Sequence, residues 1–235
     1  MKLGLGLNIK TLVGTTFAGI DSLSSLSLWL KFNTGQRTAD LNRDGEDDIE
    51  WSDQSSNDND ATNTNEETQG SFNAGSWQSA DNQDFLNLSS NITLTDDFTI
   101  FIVTVFEGTN DTFIGSSTGD FMRFGHGNVA TTYKSKFSGG LTQVSMTAPT
   151  NVKALYKIER NASDKLEITQ NSTSTLLTNT SCHANDFVFN KLPAGSFGLS
   201  NDALSELVIF DRILTSSEVA SVEADILTRN SLTAD

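Results

Sequence analysis

A chain of 235 residues can bury a substantial core, and it is an ordinary length for one all-β domain. Its formal net charge of −15 argues against nucleic acid or an anionic membrane as partner, because both are polyanions. The single cysteine, Cys182, excludes an intrachain disulfide, so stability must come from the core, from a metal or from assembly. Only two prolines occur, and the abundant Gly, Ser, Thr, Asn and Asp are the vocabulary of short strands joined by turns.

Residues 1–20 read as an arm. Leu3, Leu5 and Leu7 alternate with Gly4 and Gly6, which is strand period with flexible spacers. The segment is either an edge strand of the domain or an arm that pairs with another subunit, and in the second case Leu3, Leu5, Leu7 and Ile9 make the contact. The apolar residues of LGLGLNIKTLVG are too interrupted for a signal peptide. The Asn-x-Ser/Thr sequons at Asn87, Asn91, Asn110, Asn161, Asn171 and Asn179 therefore read as composition rather than as glycosylation sites. No stretch is apolar for the ~20 residues that a membrane-spanning helix needs. Residues 21–235 show no linker and no repeat, so they count as one domain.

Ser22–Phe32 sets Leu26, Leu28 and Leu30 against Ser27, Trp29 and Lys31, the pattern of a half-buried strand. Asn33–Gly75 is long, polar and acidic, broken only by Ile49 and Trp51, and reads as a functional or partly structured loop. Asp97–Phe106 (DFTIFIVTVF) is a near-continuous run of branched and aromatic residues. Both its faces must be covered, so it is the expected central strand. Further strands fall near Phe85–Leu88, in Phe113–Gly127, and at Ala130–Val144, Val152–Arg160, Lys165–Thr169, Asp186–Asn190 and Leu204–Phe210. Asn161–Asp164 reads as a hairpin turn. Thr215-Ser-Ser-Glu218 is a capping box, with Leu214 and Val219 placed as a hydrophobic staple. Val219, Val222 and Ile226 continue at helical spacing, which predicts one helix over 216–229.

The sharpest local motif is Asp40-Leu-Asn-Arg-Asp-Gly-Glu-Asp-Asp48. Asp40, Asn42 and Asp44 offer three side-chain oxygens around a tight turn permitted by Gly45. Glu46 would offer its carbonyl, and Asp48 holds the ninth position of a calcium loop. The twelfth position is Trp51 rather than Glu, which excludes an EF-hand proper; Glu50 or Asp53 could complete the shell. The alternative is an acidic turn that stays solvated.

Three segments carry a family likeness. Glu50–Thr62 (EWSDQSSNDNDAT), Asp97–Val105 and Gly198–Arg229 resemble, in order, segments of laminin-G-like, concanavalin A-like jelly-roll domains. Ser56 and Asp58 stand where the family turn has glycines. The resemblance implies an all-β fold, a two-sheet jelly-roll sandwich with an N-terminal arm and one short C-terminal helix. It also makes Trp51 and Asp53 motif residues. They are either a ligand platform, with Trp51 stacking on a sugar, or a buried Trp with Asp53 bonding turn amides. The Gly/Leu arm is similar to that of small virion proteins of tailed phages.

Catalysis would need a placed acid and base. Glu206 and Asp211 point to opposite faces of a strand, Glu159 and Glu167 read as single acids in a hairpin, and Cys182-His183 is poor geometry for a nucleophile and base. The expectation is therefore a non-enzymatic structural protein of a phage particle, made in the host cytoplasm. It would sit on capsid or tail proteins through protein contacts, in repeated copies. The alternative is a carbohydrate-binding, lectin-like module. Calcium is the one expected cofactor.

Overall fold

The computed structural model describes residues 17–79, 83–106, 111–115, 119–127, 129–149, 152–192 and 203–234. The expected partner-binding residues Leu3, Leu5, Leu7 and Ile9 lie outside the described residues. Strands run β1 (Leu26–Leu30), β2 (Gln36–Ala39), β3 (Asp48–Trp51), β4 (Ala61–Asn63), β5 (Ser71–Asn73), β6 (Ser76–Gln78), β7 (Leu86–Leu94), β8 (Phe98–Thr104) and β9 (Asp111–Gly115). They continue as β10 (Phe121–His126), β11 (Val129–Phe137), β12 (Gly140–Ser145), β13 (Ala154–Asn161), β14 (Lys165–Gln170), β15 (Ser174–Ser181), β16 (Phe187–Leu192), β17 (Ala203–Leu204) and β18 (Glu206–Phe210). The helix α1 spans Ser216–Arg229.

The strands build an all-β sandwich of jelly-roll type. One layer is the six-stranded sheet β1-β18-β8-β13-β14-β15. The facing layer joins β12-β11-β10-β9 to β16-β7-β4-β3-β2, with β16 running beside β9. The Val188 N–H of β16 donates to Asp120 Oδ2 at the head of β10, 2.9 Å away. A small sheet, β17-β6-β5, closes one end.

The Asp97–Phe106 run forms β8 within the six-stranded sheet, and every residue of the strand is buried. The strand alternates between two cores. Phe98, Ile100 and Ile102 face the main core between the layers. Phe101 and Val103 face a second core on the outside of the sheet, filled by Val222, Ile226 and Leu227 of α1. Burying aliphatic side chains of this size stabilises by about 1.5–3 kcal/mol each. The same helix corrects the reading of β1: Leu28 and Leu30 enter the main core, but Trp29 on the opposite face is buried too. The strand is covered on both sides, not half-buried. Phe17 and Ile20 pack on this second core, so residues 17–20, assigned to the arm, lie against the sandwich body.

Arg160, fully buried, ties the layers together without a carboxylate. It donates to the carbonyls of Thr95, Asp96 and Asn185 and lies over the rings of Phe98 and Phe137. The Asn33–Gly75 stretch, read as a functional or partly structured loop, contains β2, β3, β4 and β5. Its strands are three or four residues long, so each is decided by its neighbours across the sheet.

Candidate functional site

In a sheet, residues directly opposite one another share a face. The register of the second layer therefore defines its outer surface. One row runs across five strands: Arg37 opposite Glu50, Glu50 opposite Thr62, Thr62 opposite Asn87, and Asn87 opposite Lys191. The next row, Gln36, Trp51, Ala61 and Leu88, points the other way, and the last three join the main core. The outer row is all hydrogen-bonding side chains. Arg37 donates to Glu50 through Nε at 2.8 Å and Nη2 at 2.9 Å. That guanidinium holds the Glu50 carboxyl below the usual range, so it stays ionised and cannot serve as a general acid at neutral pH. Lys191 Nζ lies 4.1 Å from the centre of the half-buried Phe85 ring.

Farther along the same layer, Arg123 of β10 stands opposite Lys134 of β11, which stands opposite Gln143 of β12. Two like charges placed directly opposite disfavour each other. Burial, with Arg123, lowers the Lys134 ammonium, and burial, with Lys134 and Arg123, lowers His126. Of the two facing cations, Arg123 is buried and Lys134 half-buried.

The reading of Trp51 as a stacking platform is corrected. Its side chain is fully buried, edge-on to Phe72, with Nε1 donating to the carbonyls of Lys31 and Thr34. Indole nitrogen and ring are both committed to the fold. Asp53 is equally internal. Its Oδ1 accepts from the N–H groups of Trp29 and Ser55, and its Oδ2 from Ser55 Oγ and the Asn59 N–H. It organises the turn that the family motif marks. Beside that turn lies an open depression of ≈ 440 Å³ lined by Asp21, Ser24, Ser25, Gln54, Ser55 and Ser56 together with Leu23 and Leu26.

The acidic motif forms the loop between β2 and β3. Asp40 Oδ1 accepts from the Asp44 N–H and Oδ2 from the Gly45 N–H, both at 3.1 Å. Asn42 Oδ1 accepts from Asp44 N–H and Asp44 Oδ1 from Glu46 N–H. Gly45 sits at φ 101°, where a side chain is disfavoured. Among the described residues, no three His, Cys, Asp or Glu side chains already stand close enough to share a metal ion.

Sequence reasoning treated Glu159 and Glu167 as isolated, but the β13–β14 register sets them opposite. Lys157 bridges them, paired to Glu159 and 3.6 Å from Glu167. Burial raises the neighbouring Glu223, on α1. One lysine set between two carboxylates leaves this contact with an excess of acid on the helix side. The row pattern of the second layer was invisible in sequence because pairing of β3, β4, β7 and β16 spans distant segments. Burial pushes the Cys182 thiol up to about 11, which removes the thiolate a nucleophile would need.

No family model and no curated protein sequence matches the chain. Solved structures do. The botulinum neurotoxin serotype D ligand-binding domain in complex with N-acetylneuraminic acid aligns with a TM-score of 0.57 at 10% identity, covering 86% of this chain and 51% of that one. The Trypanosoma rangeli sialidase in complex with sialic acid aligns at 0.52 and 11%, covering 92% and 35%. A botulinum neurotoxin type C structure, described as dependent for cell entry on two ganglioside molecules, aligns at 0.51 and 11%, covering 83% and 52%. This chain therefore spans about half of the neurotoxin chains and about a third of the sialidase. At such identities the likeness establishes one thing: the chain shares a β-sandwich, jelly-roll-like fold with these domains.

Proposed function

We propose that this chain is a non-catalytic carbohydrate-binding module that uses the outer surface of the second layer. The observation that carries the reading is the cross-strand row Arg37, Glu50, Thr62, Asn87 and Lys191. Sugar hydroxyls need donors and acceptors arrayed on a rigid surface, and a sheet fixes such an array. The excess of cations favours an acidic sugar. Glu50 is the one carboxylate of that row, held by Arg37, so the paired acids of a glycosidase are missing from it. The structural neighbours, named for complexes with sialic acids and for gangliosides, support this lectin-like reading.

The reading as a phage virion component rests on the sequence resemblance and on Leu3, Leu5, Leu7 and Ile9, outside the described residues. The neighbours support it less than the lectin-like alternative. Among the described residues no helix is long and apolar enough to cross a membrane.

The test is a glycan array carrying neutral, sialylated, uronate and sulfated oligosaccharides. Binding to acidic sugars is expected, weakening as salt rises. Lys191→Ala and Asn87→Ala should each lower affinity about tenfold, because a hydrogen bond to a charged group contributes roughly 1.5–3 kcal/mol. Absence of binding to any sugar, or binding indifferent to both substitutions, refutes the proposal.

A further inference from the structure

The loop between β2 and β3 holds a charge with no counterpart. Asp48 is the first residue of β3 and is fully buried. Its Oδ2 accepts from the Leu41 N–H at 2.6 Å and the Asn42 N–H at 3.0 Å, which fixes the carboxylate against the start of the loop. The other oxygen, Oδ1, is buried beside it and has no hydrogen-bond partner. Among the described residues no Lys or Arg pairs with Asp48, and Arg37 on the neighbouring strand is taken by Glu50. Native structures seldom leave a buried polar atom unpaired, and a charged one least of all.

The unpaired oxygen lies where the ligand spacing of the sequence places the ninth position of a calcium loop. We propose that residues 40–48 bind one Ca²⁺. Asp40, Asn42, Asp44 and Asp48 supply side-chain oxygens, and Glu46 supplies its main-chain carbonyl. All-oxygen donors on a flexible turn suit calcium, which accepts six to eight such ligands, better than magnesium. The amides that Asp40 and Asp44 now accept do not compete with an ion, because each carboxylate has about four lone-pair sites. Asp40, Asn42 and Asp44 are exposed and turn inward by adjusting the amide contacts they make in the loop, while Asp48 is already fixed. This inward rotation is needed, since three acids are not yet gathered. Glu50 is engaged by Arg37, so water completes the shell.

The ion would sit at the hairpin that carries Arg37 and Glu50, the outer end of the proposed sugar-binding row. The inference does not depend on that row, and its test contains no sugar. Calorimetric titration of chelator-treated protein with CaCl₂, with MgCl₂ as control, should show one equivalent of calcium bound and much weaker magnesium binding. Calcium at ten times its Kd should raise the folded-to-unfolded ratio about elevenfold, read as a higher Tm than in EGTA. Asp44→Asn, an isosteric change at the surface, should weaken binding by about tenfold or more, since affinity follows ligand charge count. Asp48→Asn should abolish binding and raise the Tm measured in EGTA, because it removes the unpaired charge. No heat at millimolar CaCl₂ with equal Tm in calcium and EGTA overturns the proposal, as does undiminished binding by Asp44→Asn.

Discussion

Glu206 shows how far one residue's role depends on what surrounds it. It opens β18 on the outer face of the six-stranded sheet and is fully buried. Its oxygens accept from Trp29 Nε1 at 3.0 Å, Arg229 Nη2 at 2.7 Å and Asn230 Nδ2 at 2.7 Å. Arg229 also pairs with Asp225 at 3.0 Å and lies over the Trp29 ring. Strand, helix and helix end thus meet on one carboxylate. Removing one member of a buried pair leaves the other desolvated and unpaired, which costs about 3–5 kcal/mol. Glu206→Ala should lose that much in urea denaturation. A loss below about 1 kcal/mol would place the network among solvent-screened surface pairs. In the sequence, strand parity tells only that Glu206 and Asp211 face opposite ways. Its burial became visible once α1 was placed.

At the scale of an element, α1 was legible almost completely. The sequence predicts residues 216–229, and the helix is Ser216–Arg229. The capping box forms as expected: the Glu218 N–H donates to Thr215 Oγ1 and the Thr215 N–H to Glu218 Oε2. Leu214 and Val219 both pack on the second core, where the staple places them. Thr215→Ala should destabilise by about 1 kcal/mol in the same assay. The Arg212 guanidinium and the Thr215 amide hold the Glu218 carboxyl at about 2, against 4.5 for the free side chain. A carboxyl lowered by folding stabilises fully above its unfolded value and loses that contribution as protons bind the native state. The contribution of this group should therefore be constant above about pH 4.5 and fade toward about pH 2. Glu218→Gln should flatten that part of the stability profile, measured by denaturation against pH. An unchanged profile would assign the acid sensitivity to other carboxylates.

Across the whole molecule, the central strands β18 and β8 of the six-stranded sheet are buried on both faces because the second layer covers one side and α1 the other. A chain ending after Phe210 keeps every strand but bares Trp29, Phe101, Val103, Leu155, Val208 and Phe210. An apolar patch of that kind binds dyes and promotes association. Such a truncated chain should bind ANS and associate during size-exclusion chromatography. Monomeric behaviour without ANS binding would mean that the helix adds little cover. The second layer was harder to read. Its strands β2 to β4 are only three or four residues long, and in the other layer β15 (STLLTNTS) exposes five of its eight residues at the sheet edge. Periodicity cannot mark a strand whose side chains are solvated on both faces.

Local signals were enough wherever short-range chemistry decides the outcome. They identified the doubly buried β8, the β13–β14 hairpin, the capped helix and the acidic spacing of residues 40–48. The all-β class followed from composition and from resemblance. Tertiary structure decided what depends on cross-strand partners. It buried Trp51, paired Glu159 with Glu167, joined Glu206 to Arg229, and lined Arg37, Glu50, Thr62, Asn87 and Lys191 along one face. The reason is physical. Helical spacing and caps act within a few residues, whereas the face on which a strand residue emerges depends on register with segments far away in the chain.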